Sequence, residues 1–125
     1  WVTRLEQEAG GKIFLQDKDT NVTLLAARAA FLKERADIAK KIAAAHRALT
    51  DWIKANTAEA RALVKAELKA LTGKEPSDAL LDSALPRVVL TNDISRASLD
   101  KMVAAAQAVG PLTDIPALDS LLVSR

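Results

Sequence analysis

The stretch Thr23–Asn56, TLLAARAAFLKERADIAKKIAAAHRALTDWIKAN, constrains the fold more than any other part of the chain. It begins as one kind of structure and ends as another. Val22–Ala27 (VTLLAA) is apolar and β-tolerant, and reads as a strand buried on both faces. From Ala29 the chain becomes alanine-rich, charged and helix-periodic, with one or two helical turns over 29–35. Over 36–55, Ile38, Ile42, Leu49 and Ile53 fall on one stripe at helical spacing, with Ala45 and Trp52 beside it. Asp37 lies in the first turn and Lys54 in the last, as the helix dipole prefers. A buried strand needs a sheet to belong to, and the long helices after it need something to cover.

Local signals divide the rest of the chain. Residues 2–9 form a short helix closed by Gly10-Gly11, and 12–15 (KIFL) read as a strand before a polar turn at 17–20. Asn56 with Glu59 has the spacing of a capping box, opening a helix over 58–72 with Leu63, Val64, Leu68 and Leu71 on its apolar side. Gly73 ends that helix, as a left-handed terminal position requires. Pro76-Ser77-Asp78 starts another, and Pro86 stops it. Residues 87–91 (RVVLT) read as a third strand, followed by a turn at Asn92-Asp93. A helix over 95–109 turns Leu99, Met102, Val103 and Ala106 inward and ends at Gly110-Pro111. A short last helix runs from Asp114 through Leu122, with Pro116 near its first turn. Three short strands so far apart do not make a sheet alone, which predicts that part of a larger sheet lies outside residues 1–125.

Composition narrows the chemistry. The 125 residues suffice for one domain, and half are hydrophobic. Two tryptophans and two phenylalanines are the only aromatics, so the core is aliphatic, which suits packed helices. The net charge of +2 lacks the clustered basic face with interleaved aromatics that nucleic acid calls for. Zero cysteines exclude disulfides, thiolate metal sites and a cysteine nucleophile. No apolar run reaches the roughly 18 residues that span a bilayer. The chain opens on Trp1 rather than Met, so the lack of a signal peptide in it is uninformative.

Nothing resembling a catalytic set emerges. His46, the only histidine, flanks the 36–55 stripe without a nucleophile or acid partner, and reads as a packed or rim residue. Asp78 and Asp82 lie four apart on one helix face, where like charges mildly repel. Lys33, Arg35, Lys40, Lys41 and Arg47 are interleaved with Glu34 and Asp37, the pattern of a solvated helix face. Gly10-Gly11 is too sparse to cradle phosphate, and no zinc, nucleophile-elbow or P-loop motif occurs. Asn21-Val22-Thr23 fits the N-glycosylation pattern, and Asn21 and Thr23 put polar side chains at the mouth of a strand, where open α/β sheets hold ligands.

Thr23–Asn56 also resembles the C-terminal third of bacterial solute-binding proteins that serve ABC importers of nitrate, taurine and aliphatic sulfonates. It is similar to that family's hinge strand, its "FLKERPDL" helix entry, with Ala36 in place of the proline, and its "AH..ATDWI" helix. LTGKEPSDALLDSAL at 71–85, RVVLTNDISRASLDKM at 87–102 and AVGPLTDIPALDSLL at 108–122 follow in the family's order, most like the aliphatic-sulfonate branch. The resemblance implies an α/β, helix-rich portion of a two-lobed type II periplasmic binding fold. Residues 1–20 would be the tail of lobe 2, and 21–125 the hinge strand and C-terminal helical part of lobe 1. It implies capture of a small oxyanion such as a sulfonate, delivery to a membrane permease, an extracytoplasmic location and no cofactor. Asn21 and Thr23 at the hinge, with Trp1 as an apolar wall, are the residues expected nearest the ligand. The alternatives are a thiamine-pyrimidine precursor synthase of the same superfamily, whose cysteine-containing active region this chain lacks, and a stand-alone helical interaction module. Unpaired strand edges also predict self-association.

Overall fold

Most helix ends sit where the sequence puts them, but the last helix, expected from Asp114 through Leu122, begins only at Leu118 and ends at Leu121. The computed structural model describes residues 1–17, 20–110, 112–115 and 117–122. The helices are α1 (Val2–Ala9), α2 (Ala29–Glu34), α3 (Ala36–Ala55), α4 (Thr57–Thr72), α5 (Asp78–Ala84), α6 (Arg96–Ala108) and α7 (Leu118–Leu121), with a 3-10 turn at Leu85–Arg87. Gly73 closes α4 at φ 70°, where its missing Cβ removes the left-handed penalty. Ser77 and Ser95 cap α5 and α6, each side chain accepting a backbone N–H three residues on. Pro86 falls within the 3-10 turn that ends α5. Pro111 and Pro116, read as a terminator and a first-turn residue, lie outside the described residues, as do Lys18 and Asp19 of the 17–20 turn. The described part of that turn is held by Thr20 Oγ1 donating to Asp17 Oδ2 at 2.7 Å.

One expected cap forms differently. Asn56 makes no side-chain bond to the start of α4. Its Nδ2 and its backbone N–H both donate to the Trp52 carbonyl, at 2.9 and 2.8 Å, so it closes α3 instead of opening a capping box. A carboxamide both donates and accepts, and the free carbonyls ending α3 compete for it.

The helix-rich half of the expected architecture is observed, at 65% helix, and the β half is not. Among the described residues 12–15, 22–27 and 87–91 form no strand, and Arg87 belongs to the 3-10 turn. A helix bonds within itself, whereas a strand needs a neighbour to bond with, and these three segments find none in one another. Val22–Ala27, expected to be buried on both faces, is exposed throughout, with Val22 89% accessible.

The helices form two units, each with its own contacts: Trp1–Gln16 with Ala27–Asn92, and Asp17–Ala26 with Asp93–Arg125. In the first, α1 packs on α5 and α3 packs on α2 and α4. Leu81 and Ala60 are the buried hydrophobics among the described residues. The α3 stripe is only partly covered: Ile38, Ile42 and Leu49 are exposed, Ile53 and the adjacent Trp52 are half-buried, and Thr50 on another side of the helix is 6% accessible. Leu63, Val64, Leu68 and Leu71 of α4 are likewise exposed. Thr50 of α3 and Ala60 of α4 are the residues these two helices bury, and most of their larger aliphatic side chains stay exposed. In the second unit α6 half-buries Leu99, Val103 and Ala106 but leaves Met102 exposed. Among the described residues no helix is long and apolar enough to cross a membrane.

Candidate functional site

In the second unit, segment 20–26 meets the N-terminus of α6 through three residues. The Asn21 N–H donates to Ser98 Oγ at 2.9 Å. The Ser98 N–H donates to Ser95 Oγ at 3.2 Å. The Ser95 N–H donates to Asn21 Oδ1 at 2.9 Å. These bonds close a ring in which every donor is backbone and every acceptor is a side-chain oxygen. Ser98 is 3% accessible and Asn21 is half-buried. The sequence marked Asn21 but neither serine. The legible signal was the pair Ser95-Arg96-Ala97-Ser98 at a helix start, with a serine where a capping box carries Glu or Gln.

The other two candidate ligand residues are placed separately. Thr23, two residues along the same segment, is exposed. Trp1 belongs to the first unit, 92% accessible, with the Arg4 guanidinium 5.7 Å from its ring centre. With Asn21 Oδ1 engaged by Ser95, Asn21 has its Nδ2 donors and the second lone pair of Oδ1 to offer a ligand, and Thr23 its hydroxyl.

Charge is organised elsewhere in the first unit. Arg61 reaches Asp78 Oδ1 at 3.0 Å and Asp82 Oδ1 at 2.9 Å, so the two carboxylates that face each other along α5 are bridged by one guanidinium. Lys65 joins Asp78 at 2.9 Å, and Lys69 joins Glu75 at 2.6 Å. Hydrogen bonds from Lys65 and then Arg61 hold the Asp78 carboxyl below its usual range, and Lys69 and then Lys65 do the same for Glu75. This network joins α4 to the start of α5. Among the described residues no cluster of His, Asp or Glu could hold a metal. His46 is exposed, and its carbonyl accepts from Thr50 Oγ1. Lys33, Arg35, Lys40, Lys41 and Arg47 are all exposed.

A groove of about 530 Å³ opens at the bend between α2 and α3, lined by Arg28, Ala30, Phe31, Glu34, Arg35 and Ile38. Its two guanidiniums favour an anion and its carboxylate opposes one, so charge alone selects no ligand there. No family model, curated protein or solved structure matches the chain.

Proposed function

We propose that the chain is the C-terminal portion of the substrate-binding component of an ABC importer. In this reading it contributes to a two-lobed binding fold that captures a small oxyanion, such as an aliphatic sulfonate, and presents it outside the cytoplasm to a membrane permease. The observation that carries the reading is the pair of partly uncovered apolar stripes on α3 and α4. Full burial of such a side chain is worth about 1.5–3 kcal/mol, and these, being part-exposed, forgo a fraction of that each, so together the faces favour a covering surface. A sheet of the first lobe is the surface that the resemblance supplies, and segments 22–27 and 88–91 would find strand neighbours in it. Asn21 and Thr23 would stand at the hinge crossing as donors to the ligand's oxygens, with Trp1 against its alkyl part. No catalytic step is assigned.

The gene itself provides the test. The coding sequence upstream of Trp1 should encode a signal peptide and the rest of both α/β lobes, beside genes for a permease and an ATPase. The complete protein should bind ethanesulfonate, taurine or nitrate by calorimetry. An upstream sequence without a lobe, or a complete protein that binds none of the three, rejects the reading.

A further inference from the structure

We infer that Asn21 is a latch that completes the cap of α6 from outside the helix, so that docking of segment 20–26 and closure of the α6 N-terminus form and break together. In an ordinary capping box the N-cap side chain takes the N–H of the third helical residue, and that residue's Glu or Gln reaches back to the N-cap N–H. Ser95 performs the first half by accepting from Ser98 N–H. Ser98 is too short to perform the second, and its hydroxyl accepts from Asn21 N–H instead. The return bond to the Ser95 N–H comes from Asn21 Oδ1, 74 residues away in sequence. The box is thus shared between two segments.

Sharing makes the ring cooperative. If segment 20–26 lifts, the Ser95 N–H loses its acceptor and Ser98, 3% accessible, loses its donor. With those two bonds gone, less holds the first turn of α6, and it loosens with the segment. Resting on the importer reading, in which 21–27 crosses between lobes, the same ring anchors one end of the hinge to α6. Asn21 then acts on the ligand partly as a positioning residue.

Amide hydrogen exchange of the 125-residue chain, read residue by residue by NMR, tests the ring directly. Asn21→Ala should speed exchange at Ser95 and Ser98 about tenfold, the loss of one hydrogen bond, while amides inside α3 and α4 keep their rates and report an intact first unit. Asn21→Asp should restore protection, because a carboxylate keeps the acceptor and suits the positive end of α6. Unchanged Ser95 and Ser98 rates in Asn21→Ala, or no rescue by Asn21→Asp, overturns the latch. Ser98→Ala gives a second reading, expected to speed exchange at Asn21 by a similar factor. In the complete protein, Ser98→Ala removes no candidate ligand group. It should nevertheless weaken ethanesulfonate binding, though less than Asn21→Ala, which also removes a ligand donor; a loss confined to Asn21→Ala overturns the hinge role. Failure of the wild type to bind any of the three anions rejects the importer reading and leaves the exchange result to decide the ring.

Discussion

Leu81→Ala tests how the first unit is held. Leu81 is 4% accessible on α5, the helix against which α1 packs. Polar links flank this contact, Glu6 to Arg87 at 2.6 Å and Gln7 to Ser83 at 3.1 Å, but exposed links of this kind contribute little. Leu81, the buried hydrophobic of α5, is therefore the side chain whose loss should cost the unit most. Complete burial of a leucine stabilises by about 1.5–3 kcal/mol, and Leu→Ala in well-packed cores costs about 2–5 kcal/mol. The upper part of that range requires a rigid wall that preserves the cavity. Here Ala60 is the other buried hydrophobic among the described residues, so half-exposed neighbours can relax into the space. The expected loss is about 2 kcal/mol, roughly thirtyfold in the folding equilibrium. Urea unfolding followed by circular dichroism in the helix band measures it. Leu63→Ala is the paired control: Leu63 is 57% accessible, so its loss should stay within about 0.5 kcal/mol. Equal costs for the two substitutions would refute the reasoning, because the α4 stripe would then be as well covered in solution as the α5 contact.

Gly73→Ala should cost about 1–2 kcal/mol in the same titration, since φ is 70° and an added Cβ meets nothing within 4 Å, leaving backbone strain as the whole effect. The Asp78 and Glu75 carboxyls have folded-state pKa values below their unfolded ones, so their contribution is present above the unfolded values and is lost as pH falls through the folded ones. Amides of 74–80 should accordingly lose exchange protection below about pH 4 while the interior of α3 holds, and uniform loss along the chain would count against a local network. The 125-residue chain should self-associate through its uncovered apolar surface, giving a sedimentation coefficient that rises with concentration; a concentration-independent monomer with protected amides over 22–27 would show that the chain covers this segment itself. Calorimetry of the same chain with ethanesulfonate should detect weak binding or none, and a micromolar Kd would contradict the idea that donors from a second lobe are needed.

Helix boundaries were legible because their causes are local. Ser77 and Ser95 cap residues three positions on, Gly73 supplies a left-handed φ, and Asp37 and Lys54 bracket α3 with suitable charges. The Asn56 error arose within the same local logic: the residue could serve either neighbouring helix, and spacing does not say which end holds the stronger unmet demand. Asp78 and Asp82 show the opposite limit. Their mutual repulsion was readable from spacing four, but Arg61, which cancels it, lies 21 residues before Asp82.

The strands and the buried faces failed for one shared reason. A strand pattern at 12–15, 22–27 or 87–91 states a preference whose realisation depends on another segment's backbone, and a stripe such as Ile38, Ile42, Leu49 states a demand for an apolar neighbour without naming it. In this structure both demands stand unmet at once: Val22 is 89% accessible, Val89 80% and Leu49 54%. Under the proposed importer reading one neighbour would meet both demands, because a sheet edge offers backbone pairing and a sheet face offers apolar cover. Asn21 fits the same logic from the other side. It is the residue at the head of 22–27 whose partners, Ser95 and Ser98, are within the chain, and there the segment is fastened by backbone and side chain together. The demands that this sequence answers internally are answered at short distances, and in the proposed importer fold a sheet would answer the rest.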